Sequence, residues 1–555
     1  MSFLQTISEG GQTWIHKIRM IKQVLKISFG FSALIAALFF FFQMTRLPEE
    51  TYWGSWYYIK ASLLESIQEE ISVDREAWSR VANEFYSRES PSIRIPQALY
   101  KTEFHWKSLL SKIAETAESS GTASSVSFAF LLAFFWLRGR KTSKKSHLSG
   151  KKLISPRRLS WKIQAKRRAS PIKIGPVPYI KGSETQHTLI TGGTGSGKTN
   201  CLHGILSQLR KQCFRAVVVD TDGAFVSRYF RQGRDILLNP FDERSSPWHL
   251  WSECKNPFDY DSVAESFIPT SHNEHENYWR RSAQAVFSAL LAKTSERRKS
   301  SDLVNWMLSK PLSDLCCFLS ETKAASHLDI RSEKTASSVR SVTSSFLSCL
   351  QYLPDTDSSF SIKKWIEEEH EGWLFLNCGP SQRRSIAPLL VSWISIAIEG
   401  LLSLKPDLKR RLWFVLDELQ TLNRIHGLDM LLTESRKYGG CALLSLQSPS
   451  QLEEIYGRDK TRVILGNCST KIAFSEQDPE VAERVSKAFG DCEIREFQRG
   501  ISYGANDVRD GVNLSVQQRE RPIVKASDIQ SLRNNEAFLK LAGDVPVSKI
   551  RLSLI

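Results

Sequence analysis

The sequence predicts an α/β fold, a mostly parallel sheet with an inserted all-α segment, preceded by a two-helix transmembrane anchor with a small extracytoplasmic domain. Three observations carry this expectation. Two uncharged apolar stretches lie near the N-terminus, Ile27–Met44 and Ser119–Leu137. After them, short continuous apolar runs alternate with helix-periodic segments, as in a sheet buried on both faces. From about Trp251 to Pro354 the strand signal stops and helical spacing alone remains.

Composition bounds the rest. At roughly 150 residues per domain, 555 residues hold three or four folded units. Hydrophobic residues at 41% and aromatics at 10% exclude disorder as the main state. A mean hydropathy of −0.27 excludes a polytopic membrane protein but leaves room for one or two spans. The net charge is +16, and the stretch Arg138–Lys173 contains 14 Lys/Arg and no Asp/Glu, so the remainder is nearly neutral. The 10 cysteines all fall between Cys201 and Cys492 without a C-x-x-C pair. That pattern excludes a zinc knuckle or dithiol redox motif and fits reduced, buried thiols.

Taken in order, residues 1–26 form a cytosolic segment and 27–44 the first span, at the lower length limit for a bilayer. No A-x-A-like cleavage site follows, so a removed signal peptide is the poorer reading. Residues 45–118 form an external loop whose aromatics, among them Trp53, Trp56, Tyr57 and Trp78, suffice for a small helical domain. Residues 119–137 form the second span, ending in Trp136 at an interface. Lys17, Arg19, Lys22 and Lys26 precede the first span, and Arg138, Arg140 and Lys141 follow the second. The positive-inside rule then puts both termini in the cytoplasm. Residues 138–174, with Ser, Pro and Gly among the charges, read as a basic linker facing anionic lipid headgroups or nucleic acid. Residues 175–250 and 355–555 form the nucleotide-binding body, and 251–354 the all-α insertion. Trp279, Ala283, Val286, Phe287, Leu290 and Leu291 mark one amphipathic helix there. His272-Asn-Glu-His275 is too short for a metalloprotease signature.

The chemistry concentrates at one motif. A short apolar strand, Gln186–Thr191, runs into Gly192, Gly193, Thr194, Gly195, Ser196, Gly197, Lys198 and Thr199, which satisfies G-x-x-x-x-G-K-[ST]. Asn200 follows, and Leu202, Ile205, Leu206 and Leu209 then recur at helical spacing. Glycines let successive N–H groups curl around phosphates at the positive end of a helix. Lys198 adds a point charge for the β- and γ-phosphates of ATP, and Thr199 a hydroxyl for Mg2+. The apolar run Leu412–Leu416 ends in Asp417, suited to hold magnesium through water, and Glu418, suited to orient attacking water. Cys441–Leu446 is the next strand, and Gln447 at its end can sense the γ-phosphate. Arg436 reads either as a surface arginine or as an arginine finger for a neighbouring subunit.

With these residues in place, the sequence resembles the TraD/TrwB-type coupling proteins of bacterial conjugation and type IV secretion, closest to the TraD branch. Gly195-Ser-Gly-Lys-Thr199, Leu238-Asn-Pro-Phe-Asp242 and Leu416-Asp-Glu-Leu-Gln-Thr-Leu422 carry the likeness. So do Glu434–Gly440, Leu446-Gln-Ser448 and the segments Ser502–Asn506 and Arg509–Gly511. The resemblance implies a RecA-like P-loop ATPase in a homo-hexameric ring at the bacterial inner membrane. Such a ring couples relaxase-bound DNA, taken without sequence preference and single-stranded, to relaxosome proteins and secretion-channel components. It also implies catalytic roles for Lys198, Glu418, Gln447 and Arg436. Longer TraD proteins carry an acidic tail that docks a relaxosome protein; this chain ends soon after its last family-like strand, which turns the expected recruitment surface to the helical segment. A docking platform for protein effectors and an FtsK/HerA-like double-strand translocase remain open beside this reading.

Overall fold

The computed structural model describes residues 3–65, 70–82, 92–142, 146–271, 273–356, 360–368, 371–502 and 511–554. It forms two compact units. One is built largely from the chain before Ser146, the other from Ser146–Glu496 and Val516–Ile555.

The first unit rests on two long helices, α1 (Phe3–Met44) and α4 (Ile95–Thr142). Each is long and apolar enough to cross a membrane, over Ile18–Met44 and within Ile95–Arg138, and little of either apolar window is covered by protein. Between them lie α2 (Glu49–Leu64), β1 (Glu70–Ser72), α3 (Arg75–Ala82) and β2 (Ser92–Arg94). Tyr57, Ala61, Ile71, Trp78, Ile93 and Ala98 form their core. A Cβ at Gly54 would stand 2.6 Å from His105, so the missing side chain lets α2 close on α4. The small domain is thus not purely helical: β1 and β2 pair antiparallel. Three-residue strands are too short for alternation to show in a sequence.

The second unit begins within the expected linker. β3 (Ser146–Gly150), β4 (Leu153–Ile154), α5 (Pro156–Ala165) and β5 (Ala169–Ile174) are all regular structure. Leu159 and Ile163, one turn apart, and Ile172 and Ile174, alternating, are buried in the core. The density of Lys and Arg between them hides a two-residue apolar stripe on α5 and a period-two strand. The linker expected at 138–174 is therefore folded from Ser146 onward.

The chain continues through β6 (Val177–Ile180), β7 (Thr188–Thr191), α6 (Lys198–Lys211), β8 (Arg215–Asp220), α7 (Ala224–Tyr229) and β9 (Ile236–Leu238). A run of helices follows: α8 (Asp259–Phe267), α9 (Glu274–Lys293), α10 (Ser300–Val304), α11 (Leu312–Phe318), α12 (Glu333–Leu347) and α13 (Ile362–Glu367). Then come β10 (Trp373–Asn377), α14 (Arg383–Leu402), β11 (Leu412–Leu416), α15 (Leu428–Glu434) and β12 (Gly440–Leu446). α16 (Pro449–Tyr456), α17 (Arg458–Asn467), β13 (Thr470–Ala473) and α18 (Pro479–Phe489) precede β14 (Asp491–Ser502) and β15 (Gly511–Pro522). α19 (Ala526–Gln530), β16 (Glu536–Lys540) and β17 (Val547–Arg551) complete the unit. The Ser502–Gly511 likeness falls mostly outside the described residues, as does His272.

The main sheet runs β4-β17-β16-β13-β7-β12-β11-β8-β10-β9. The seven strands from β13 to β9 are mutually parallel, and β16 joins antiparallel at β13. Both faces are buried. Val217, Val219, Phe414 and Leu416 face one core, and Ala216, Val218, Trp413 and Val415 the other. This explains why the strands read as unbroken apolar runs. Phe267, Val286, Phe287 and Leu290 of the helical segment share the first core with Leu389 and Trp393 of α14. That segment is a layer on the sheet rather than a body with its own core. α14 is itself apolar enough to span a bilayer but is mostly buried.

Candidate nucleotide site

The Gly192–Thr199 loop joins β7 to α6, as the strand–loop–helix reading requires. At Gly197, φ is +115°, and a Cβ would meet Asn535 Oδ1 at 2.7 Å. At Gly192, φ is +151°, and a Cβ would fall 2.6 Å from Phe474 Cβ. Any side chain at either place would force the loop off its supports. Those supports are backbone bonds: Gly193 N–H donates to Ser475 O at 2.8 Å, and Asn535 N–H to Ser196 O at 2.9 Å. Asn200 Nδ2 donates to Asn535 Oδ1 at 3.0 Å and to Ser553 O at 2.9 Å. The strand after β7 in space and the C-terminal segment thus hold the loop from behind, while around Gly195 nothing lies within 4 Å of a Cβ position. The cradle is open on that side.

Lys198 is buried, and its Nζ donates to Gly192 O at 2.6 Å and Gly193 O at 2.9 Å. Burial pulls its pKa below the usual lysine range, against the opposing fields of Asp417, Glu418 and Glu476. Asp417 and Glu418 stand at the end of β11, two strands from β7, with β12 between. Burial raises the Asp417 pKa, while the Glu418 N–H, which donates to Asp417 Oδ1 at 3.0 Å, opposes the rise. Glu418 has φ +51°, a left-handed conformation that costs a non-glycine residue on the order of 1 kcal/mol. Gln447, at the end of β12, donates from Nε2 to Glu418 Oε1 at 3.3 Å. Lys198, Asp417, Glu418 and Gln447 therefore converge at the carboxyl ends of three adjacent strands, and Thr199 is exposed at the start of α6. A glycine cradle, a buried cation and a buried carboxylate beside an exposed hydroxyl suit a polyphosphate with its divalent cation.

Arg436 is not part of this cluster. It sits exposed on a single 3-10 turn, Ser435–Tyr438, at the amino end of β12, opposite to Gln447. The structure also adds acids that were not singled out. Asp220 ends β8 beside β11, caps α7 through Gly223 N–H (2.9 Å) and Val226 N–H (2.7 Å), and has its pKa pushed up to about 6, chiefly by burial. Asp222 and Glu476 also face the cluster electrostatically. The apolar run Ala216–Val219 ending in an acid, the same signal as Leu412–Asp417, pointed to Asp220; nothing local pointed to Glu476 or Asn535.

Fold and site define a P-loop α/β protein with a one-strand gap between its phosphate loop and its acidic strand. The model of the type IV secretion-system coupling protein DNA-binding domain matches residues 171–553, and the chain belongs to that family. It is 32% identical over 438 residues to coupling protein TraD of Escherichia coli (strain K12), covering 76% of this chain and 61% of TraD. The chain thus spans about three fifths of that relative's length. The bacterial conjugative coupling protein TrwBdeltaN70 superposes with a TM-score of 0.68 at 26% identity, over 74% of this chain and 94% of TrwB. TrwB in complex with ADP and Mg2+ matches with a TM-score of 0.67 at 26% identity, over 74% and 95%. These likenesses bear out the family and the RecA-like P-loop fold expected from the sequence.

Proposed function

We infer that the chain is a membrane-anchored ATPase of conjugation or type IV secretion that drives transfer of a DNA substrate. The observation that carries this is the convergence of Lys198, Asp417, Glu418 and Gln447 on a family fold whose relative TrwB was solved with ADP and Mg2+ and with a non-hydrolysable ATP analogue. Lys198 exchanges its two carbonyl bonds for the β- and γ-phosphates, which restores a full charge partner to a buried ammonium. The loop N–H groups from Gly193 to Asn200 hold the remaining phosphate oxygens. Thr199 and Asp417 hold Mg2+, which neutralises charge on the transferring phosphoryl group. Glu418, fixed by its own strained backbone and by Gln447, orients and deprotonates the attacking water. Gln447, bonded to the base at one end of β12 and leading into α16, senses the γ-phosphate and reports hydrolysis to α16. Arg436 acts on the neighbouring subunit's nucleotide in a homo-hexamer.

α1 and α4 anchor the chain in the inner membrane with both termini cytoplasmic, the small domain contacts channel components, and the basic stretch after α4 meets lipid headgroups. Relaxosome proteins deliver the DNA. Family membership supports this reading over a chromosome translocase. The test is Lys198→Ala in the full chain, measured for ATP hydrolysis and plasmid transfer. Both should vanish with insertion and folding intact, and Glu418→Gln should bind ATP without turning it over. Hydrolysis near wild type in Lys198→Ala would sink the motor reading.

A further inference from the structure

A second cavity, of about 460 Å³, lies beside the nucleotide site, between strands β7 and β13 and helices α17 and α18. Leu189, Leu465 and Val485 give it apolar walls. Its charge is one-sided: Arg458, Arg462, Lys471, Arg484 and Lys487 line it against one acid, Glu453. Glu453 is already paired with Arg484 at 3.1 Å.

Three features favour an anion at this cavity, two of them buried and the first, the Arg458–Arg462 pair, exposed at its mouth. Arg458 and Arg462 are one turn apart on α17, a like-charge pair that weakens a helix. Among the described residues neither side chain has an ion pair or hydrogen bond. Lys471 is largely buried, and its Nζ bonds only the Leu465 carbonyl, at 2.6 Å. Burial, with no carboxylate against it, holds its pKa below the usual range. The Thr461 hydroxyl, buried at the same cavity, has no hydrogen-bond partner. A buried cation with no counter-charge and a buried hydroxyl with no hydrogen-bond partner each carry a desolvation penalty that a bound phosphate oxygen reduces.

We propose that this cavity binds a nucleotide unit, with its phosphate on Arg458, Arg462 and Lys471 and its sugar and base against Leu189, Leu465 and Val485, and that the unit belongs to the DNA strand being moved. The proposal rests on the reading that the chain acts on DNA, and it gives that DNA a seat. The seat adjoins the motor: Thr191 of its lining precedes the phosphate loop, and Pro449 follows Gln447 and Ser448. Displacement of α16 during hydrolysis would therefore move one wall of the cavity.

The test uses the full chain in nanodiscs, with a fluorescein-labelled 20-residue oligothymidylate followed by anisotropy across a salt series. Arg458→Gln with Arg462→Gln should weaken binding by at least about 10-fold and flatten the log–log salt slope by up to about 0.7, the share of the one phosphate they hold. ATP hydrolysis without DNA should be unchanged. Lys471→Met should weaken binding with Tm equal or higher, because an uncompensated charge leaves the interior. Thymidine monophosphate that binds wild type tightly and loses that in the double variant would keep the nucleotide chemistry but assign the seat to a free nucleotide. Poly-glutamate binding as tightly as the oligonucleotide would overturn the proposal in favour of a protein ligand. Unchanged affinity and slope in the double variant, or a Lys471→Met that only loses stability, would overturn it outright. Lys198→Ala should retain oligonucleotide binding, so failure of the seat and failure of the ATPase reading are separate results. A wild-type chain that binds neither probe would overturn both the seat and the DNA substrate.

Discussion

Arg436→Ala separates a subunit-crossing finger from a surface arginine. Arg436 precedes β12 and Gln447 follows it, so the length of the strand Gly440–Leu446 lies between Arg436 and its own γ-phosphate position. At 3.3 Å per residue that is about 20 Å, while an extended arginine side chain spans roughly a third of this. Arg436 therefore cannot act in its own site without unfolding β12, whose residues are all buried. Fingers supplied by a partner are worth about 10³–10⁵ in rate, or roughly 4–7 kcal/mol of barrier. Arg436→Ala should thus be nearly inactive in steady-state phosphate release with ATP affinity unchanged, because nothing in its own phosphate loop has been touched. The assay is then repeated on mixtures with Lys198→Ala. A Lys198→Ala subunit offers an intact finger to an Arg436→Ala neighbour whose own loop is complete, so mixed rings should regain part of the activity. If rings shown to be mixed give no more than the sum of the separate variants, the reasoning fails and Arg436 is an ordinary surface residue.

Three further outcomes follow from the packing. Gly197→Ala should abolish ATP binding in equilibrium titrations, since its Cβ would collide with Asn535 in a backbone conformation that alanine avoids. Glu253 is buried and accepts from Trp248 Nε1 (2.8 Å), Ser361 Oγ (3.0 Å), Ile362 N–H (2.7 Å) and Lys363 N–H (3.1 Å). Glu253→Gln turns an amide donor toward one of these donors and should cost about 2 kcal/mol or more in urea unfolding, with nucleotide affinity retained. Asp220 has its folded pKa raised to about 6 from 3.8, so its contribution is complete below about pH 4 and lost as pH rises through 6. The stability advantage of wild type over Asp220→Asn should therefore shrink between pH 4.5 and 7, by about 2 kcal/mol. A constant difference across that range would show that Asp220 acts only as a cap.

The sequence by itself determined the phosphate loop, the acidic strand end, the two long apolar stretches and the parallel sheet. Each is a local pattern in which residue type and spacing impose the backbone, as when glycines permit the turn at Gly197 or alternate faces of Ala216–Val219 both demand burial. It also put Gln447 at a strand end, because a polar residue ending an apolar run lies at the rim of the sheet. Strand order was not legible. That β12 separates β7 from β11, so that Gln447 stands against Glu418, rests on strand pairings between residues far apart in the chain. The same holds for the folded state of the basic stretch after Ser146, where Leu159 and Ile163 count only once α5 has a core to enter. Asn535 and Glu476 show the limit most plainly. Neither lies in a pattern of its own, and each matters only because the tertiary fold carries its segment against the phosphate loop or the buried ammonium of Lys198.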